Sequence, residues 1–474
     1  MTDSTPDDGA GNAATVANTL QDETPVPKSQ VRAWALWDWG SASFNAVVTT
    51  FVFSTYLAST LFVDPAIVAA AGGNDNDAAL TLARAENATV ISWALTIAGV
   101  LIALIAPILG QRSDGSGRRK LWLGINTGLV VAAMLAMFFV EPVPGYIYLG
   151  AALLAVGNIF FEFAGVNYNA MLVQVSTPST IGRVSGFGWG MGYVGGIVLL
   201  IILLVLFIQS FGSDTGNGLL NVPFGTDGGA LDIRFAVVVS ALWFAAFAIP
   251  VLLRVPEIPA RVRASEKPSI LGSYRALFRT IATLARKSPQ VLLFLLASAI
   301  FRDGLAAVFT FGAIIAAQVF GFTSSEVIYF AVAANISAGI GTFIGGYLDD
   351  RIGAKKIIVF SLAGLVVAAT TVLFIGDAKS GFWIAGLALC LFVGPVQSSS
   401  RSFLARITPP GREGEIFGLY ATTGRAVSFL APGLFTLAVT LTGDTRYGIV
   451  GIAIVLLAGL LLMLPVKAVQ SRIE

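Results

Sequence analysis

GQRSDGSGRRK (residues 110–120) and GYLDDRIGAKK (346–356) follow one pattern. Aligned, they pair Asp114 with Asp350, Gly117 with Gly353, Arg119 with Lys355 and Lys120 with Lys356, at an offset of 236 residues. TPSTIGRVSGFG (177–188) matches PPGREGEIFGLY (409–420) at an offset of 232. Two matches at nearly one offset predict a chain built of two similar halves. Such repeats typify secondary transporters, whose substrate site lies between the halves near mid-membrane. The loops have a physical logic. Glycine allows a tight turn and close helix approach. Aspartate can accept hydrogen bonds at a neighbouring helix N-terminus. The basic residues can pair with that aspartate, making a latch that holds one conformation. Gly110, Asp114, Gly117, Arg118, Arg119, Gly346, Asp350, Arg351 and Gly353 are therefore candidate gating residues. The plainer alternative is that the basic residues only set topology.

The sequence around these loops belongs to a membrane. Of 474 residues, 56% are hydrophobic and 12% charged, with mean hydropathy +0.81. A soluble chain carries about 25% charged residues. Twelve stretches are long and apolar enough to span: 34–62, 87–109, 120–140, 146–174, 183–210, 233–253, 290–319, 325–347, 356–375, 382–405, 414–441 and 446–465. If the N-terminus is inside, 22 of the 29 Lys and Arg lie in inner segments, four in outer segments and three within spans. That bias predicts two cytoplasmic termini. The expected order is a disordered tail at 1–30, a six-helix bundle at 31–254, a cytoplasmic linker at 255–288, a second bundle at 289–466 and a tail at 467–474. In the linker, Ile270, Leu271, Tyr274, Leu277, Phe278, Ile281 and Leu284 recur at helical spacing between arginines, predicting an amphipathic helix on the membrane surface.

Cys390 stands alone and histidine is absent. No internal disulfide, metal site or cofactor is expected, and any proton chemistry falls to carboxylates. A net charge of +2 gives no reason to expect nucleic acid. There is no GxxxxGK[ST] loop and no nucleophile motif, so an enzyme is not expected.

Six ionisable residues fall within the spans: Asp38, Glu162, Arg302, Asp303, Arg401 and Arg425. Intramembrane charges face partners or cavities and mark pathways. Arg302 and Asp303 are adjacent, so on a helix they point about 100° apart and each should find its own partner. Asn158, Glu162, Gly165 and Asn169 share one face of span 4. Glu162, near mid-span, is the first candidate for proton coupling or cation binding; a structural pair with an arginine is the alternative. Gln397 and Arg401 share a face of span 10, where Arg401 is placed to snorkel towards the cytoplasm. Arg425 lies deeper and can meet an anionic group. Asp38 reads as a cap or interfacial partner, with Trp34, Trp37 and Trp39 as an interfacial belt. Asn45 and Asn335 complete the set of cavity candidates.

The paired loops resemble the G-x-x-x-D-R-x-G-R-R signature of the major facilitator superfamily and its second-half repeat. The second copy fits through Gly346, Asp350, Arg351 and Gly353. The first departs at Gly115, where the family has arginine, which implies a weaker latch. WALWDWGSASFNAVVTTFVF (34–53), NYNAMLVQVSTP (167–178) and GPVQSSSRSFLARITPPGREGEIFGLY (394–420) resemble the vacuole-effluxer branch, whose fungal members are associated with amino-acid release. The resemblance implies an all-α membrane protein with twelve transmembrane helices in two six-helix pseudo-repeats. It implies a monomer in a bacterial cell membrane that moves a small polar solute by alternating access. An amino acid exported with a coupling proton or cation is the leading expectation. The alternatives are a cation-coupled sugar symporter and, in another class, a lipid flippase or a non-transporting receptor.

Overall fold

In a bilayer every backbone group must be satisfied within its own segment, so apolar stretches of this length become helices. The computed structural model describes residues 24–74, 77–208, 220, 229–257, 270–376 and 378–467. Most of the tail expected at 1–30 and most of the tail at 467–474 lie outside the described residues.

The first half holds α1 (Lys28–Ser43), α2 (Ala78–Ser116), α3 (Arg119–Ala136), α4 (Ile147–Ala170), α5 (Ile181–Leu203) and α6 (Leu231–Arg254). The second holds α7 (Pro289–Gln318), α8 (Ser324–Ile352), α9 (Ala354–Phe374), α10 (Lys379–Ile407), α11a (Glu413–Val427), α11b (Leu430–Thr442) and α12 (Gly448–Met463). Among the described residues, eleven crossings are long and apolar enough to span a bilayer, with α11a and α11b counted as one. The twelfth is the first span, which is built in pieces.

Two expectations of continuous helix need correction. Span 1 runs as α1, a π-helical turn at Phe44–Phe51 and a short helix at Phe53–Leu57. Its sequence there, NAVVTT, crowds β-branched side chains. Thr49 and Thr50 both donate hydroxyls to the Asn45 carbonyl, at 2.7 and 2.8 Å, which loosens the regular ladder. Span 11 breaks between Val427 and Leu430. Helix α1 also starts at Lys28, just after Pro27 at its N-cap, so residues 28–30 are helix and not tail. Helix α2 is 39 residues long because Asp77 caps its start and Gly117, at φ 65°, ends it in the left-handed region.

The halves repeat each other in packing. Helix α4 packs on α2 and α3, as α10 packs on α8 and α9; α6 packs on α1 and α3, as α12 packs on α7 and α9. Between the halves, α2 lies along α11a and α5 along α8. These contacts gather at the end that carries Lys28, Lys467 and the two basic loops, called here the basic end. Towards the opposite end, α11b packs on α12 and α7, and the short helix at 53–57 packs on α4 and α6, each within its own half.

The linker helix (Ile270–Lys287) packs against α7 and α2. Its apolar residues divide between two surroundings. Leu277 and Leu284 are buried in the protein, and Tyr274 donates to the Leu104 carbonyl at 3.1 Å. Leu271 and Phe278, seven residues apart on one face, are exposed.

Candidate transport pathway

The face of α4 read from the sequence meets arginines of the other half. Arg425 of α11a donates to Glu162 Oε1 at 2.5 Å and to Asn158 Oδ1 at 2.9 Å. Arg401 of α10 donates to Asn169 Oδ1 at 3.2 Å and to Asp38 Oδ2 at 3.3 Å. Gly165, between Glu162 and Asn169, has open space where a Cβ would stand. So α4 presents two polar contacts to the second half with a gap between them.

These two ion pairs differ in surroundings. The Arg425 and Glu162 side chains are 32% and 28% exposed; those of Arg401 and Asp38 are 4% and 15% exposed. Arg401 does not snorkel. Its guanidinium turns inward, donates to Ser185 Oγ and the Ser185 carbonyl, and lies over the Trp34 ring at 4.8 Å. Asp38 is not an interfacial cap; it also accepts from the Tyr168 hydroxyl at 2.8 Å. Nor do Trp34 and Trp37 form an interfacial belt. Both are buried and stack on Tyr168, with ring centroids 4.5 and 4.3 Å away. A buried charge pair needs walls and satisfied lone pairs, and these aromatics with Tyr168 and Ser185 supply them.

Arg302 and Asp303 part as their spacing predicts. Arg302 lies over the Tyr420 ring at 3.9 Å and donates to the Tyr420 carbonyl at 3.0 Å, with no carboxylate partner among the described residues. Asp303 is buried and accepts from the Ala431 N–H at 2.6 Å, capping α11b where span 11 breaks. Gln397 accepts from the Tyr193 hydroxyl across the halves at 2.8 Å. Asn45 is exposed within the π-helical turn. Asn335 donates to its own helix at the Ala331 carbonyl and joins none of these contacts.

At the basic end the two loop motifs make matching joints. Asp114 accepts the Glu415 N–H at 3.0 Å, at the start of α11a. Asp350 accepts the N–H groups of Gly182 and Arg183 at 2.7 and 3.0 Å, at the start of α5. The helices cross on glycine. A side chain at Gly110 would run into the Gly414 backbone, and a Cβ at Gly186 would lie 2.7 Å from Gly346 Cα. The cations depart from the aligned pattern. In the first joint, Arg119 is 1% exposed and bonds Asp114 and Glu413. In the second, Lys355 donates instead to the Leu464 carbonyl, and Arg406 of α10 bonds Asp349 and Asp350. Arg118 is exposed, and Arg351 stacks over Tyr347, so neither reaches an aspartate. The weaker first latch implied by Gly115 is offset by Arg119, which is more buried than Arg406.

Sequence reading missed Tyr168, Ser185, Tyr193, Asp349, Arg406 and Glu413. Glu413 carried a signal: an acid in the first turn of a helix facing a basic loop. Arg406, in the last turn of α10, had the matching one. Tyr168 and Ser185 had none, because their partners lie far away in sequence.

This architecture defines a class: the twelve-helix transporters of the major facilitator fold. Solved structures agree. The proton:xylose symporter XylE superposes with a TM-score of 0.69 at 14% identity over 93% of this chain and 96% of its own. The human organic anion transporter MFSD10 gives 0.67 at 14% identity over 92% and 99%. Within that class the chain belongs to the family described as vacuole effluxer Atg22 like, whose profile matches residues 26–474. It is 25% identical over 438 residues to the uncharacterized MFS-type transporter YxiO of Bacillus subtilis, covering 92% of this chain and 94% of that one. It is also 25% identical over 327 residues to autophagy-related protein 22-1 of Neosartorya fischeri, where the match spans 51% of the fungal protein. The chain is thus a multi-pass membrane transporter and not an enzyme.

Proposed function

We propose that this transporter exports a small zwitterion of the amino-acid type by alternating access. One observation carries the choice of solute. Arg302 and Arg425 both bear on α11a, Arg302 through Tyr420, yet among the described residues only one carboxylate, Glu162, answers them. Asp303 is engaged with the start of α11b and does not neutralise Arg302. The surplus positive charge suits a solute carboxylate, and Glu162 suits its ammonium. The Glu162–Arg425 pair is about a third exposed, so it can exchange partners at low cost, as solvated pairs do. Family kinship with proteins described as vacuole effluxers favours export.

In this reading the basic end faces the cytoplasm of a bacterial cell, both termini lie there, and the described state is shut inside and open outside. A solute and a proton exchange at Glu162. Thermal unfolding of the purified protein against amino acids, peptides and sugars finds the ligand, because a ligand of the folded state raises its stability. In vesicles, Glu162→Gln is expected to abolish transport driven by a pH gradient while leaving counterflow measurable. Proton coupling unchanged in this variant would reject the role of Glu162, and stabilisation by sugars alone would reject the zwitterion.

A further inference from the structure

Away from the central pathway, a cavity of about 400 Å³ opens at the basic end, where the first latch loop, the linker helix and the start of α11a meet. Gln111, Arg279, Thr280, Arg412 and Glu415 are among its walls. Volumes of this order hold small molecules. Its polar groups are unevenly satisfied. Arg412 is steadied by a bond to Thr280 Oγ1 at 3.2 Å. Arg279 is exposed and has no ion-pair partner among the described residues. Gln111 donates its amide to Glu415 at 3.4 Å, which leaves its Oε1 buried without a partner. Asp114, also in the wall, is already held by Arg119 and the Glu415 N–H. The cavity therefore offers an anion the Arg279 guanidinium, with that of Arg412 beside it, the latter also facing the Glu415 carboxylate.

We propose that this cavity binds the phosphate group of a phosphorylated molecule, and that it does so while the basic end is shut. Guanidinium forks match phosphate oxygens better than any other side chain does. The walls come from both halves: Gln111 from the first, Arg412 and Glu415 from the second. Parting of α2 and α11a dismantles the site, so a bound phosphate favours the shut state. The phosphate has two sources: a soluble phosphomonoester, or a lipid headgroup whose chains lie beside exposed Leu271 and Phe278. The coupling to gating rests on the alternating-access reading above; the binding itself does not.

The test uses the full chain in phosphatidylcholine nanodiscs, titrated with glycerol 3-phosphate by calorimetry. Thermal unfolding is compared with that in nanodiscs containing phosphatidylglycerol. Binding of glycerol 3-phosphate without stabilisation by phosphatidylglycerol identifies a solute site, and stabilisation by phosphatidylglycerol identifies a headgroup site. Either response should weaken about tenfold or vanish in Arg279→Gln, the loss expected for about 1.4 kcal/mol. Arg286→Gln, on the same helix outside the cavity, should leave it intact. Whichever probe binds should also slow alkylation of Ser113→Cys in a Cys390→Ser background, since Ser113 is fully buried with the basic end shut. No response to either probe, or an equal loss in Arg286→Gln, would overturn the site. Binding without slower alkylation would overturn its link to gating. Failure to find any transported solute, with Arg279-dependent binding intact, would count against the transporter's proposed solute and not against this cavity.

Discussion

Arg401 and Arg425 both cross from the second half to α4, but their surroundings assign them different work. Arg401, 3% exposed, sits among Trp34, Tyr168 and Ser185 and neutralises Asp38. Removing one partner of a buried pair leaves the other charged and unpaired, which costs about 3–5 kcal/mol. Arg401→Met should therefore lower the thermal unfolding midpoint sharply, and Asp38→Asn less so, because Arg401 keeps its bonds to Ser185 and Asn169. Glu162 and Arg425 stand partly in water, where such a pair contributes about 0–1 kcal/mol. Glu162→Gln should leave the midpoint nearly unchanged while altering transport. Equal destabilisation by the two variants would remove the distinction.

At the scale of elements, the joints matter more than the helices. Helix α11b begins at a break inside a span, and Asp303 accepts the free Ala431 N–H in its first turn. Asp303→Ala should destabilise by about 1 kcal/mol, the usual loss for a helix cap, and Asp303→Asn by less. The crossing of α2 with α11a depends on bare backbone at Gly110 and Gly414. Gly110→Val leaves no room for that crossing, so the basic end should stand open. Alkylation of Ser113→Cys from the basic end should then become fast. Slow alkylation would mean that the helices can shut without this close approach.

Over the whole molecule, the shut end is held by a network and not by one bond. Arg119 is its most buried cation, with Asp114 and Glu413 as its anionic partners. In the shut state both acids depend on it; once the end opens, water can solvate them. Arg119→Gln should thus disfavour the shut state by about 3–5 kcal/mol, enough to change a population ratio more than a hundredfold. Spin-label distances between the basic ends of α2 and α11a would read that shift. Orientation is checked at the same scale. In a Cys390→Ser background, Asn45→Cys should react with an impermeant thiol reagent added outside the cell. Reaction only from inside would reverse the proposed topology.

Much of this was legible in the sequence because it was periodic or repeated. Membrane-length apolar runs, the offsets of 236 and 232, the face of α4 and the glycines of the crossings are all set by local spacing, and bilayer physics leaves few ways to fold them. The choice of partners was not legible. Nothing near Arg401 announces Asp38, 363 residues away, nor does Lys355 reveal that Arg406 takes its place beside Asp350. The break in span 1 was hidden inside a run with no proline or glycine to mark it, whereas the one in span 11 had a signal in Pro432, which cannot donate to a continuing helix. Sequence alone determined how many helices cross, which loops correspond and which faces are polar. Only the tertiary structure decided which charges meet and which end is shut, because a charge in a membrane is satisfied by whatever comes within about 3 Å of it in space, however distant along the chain.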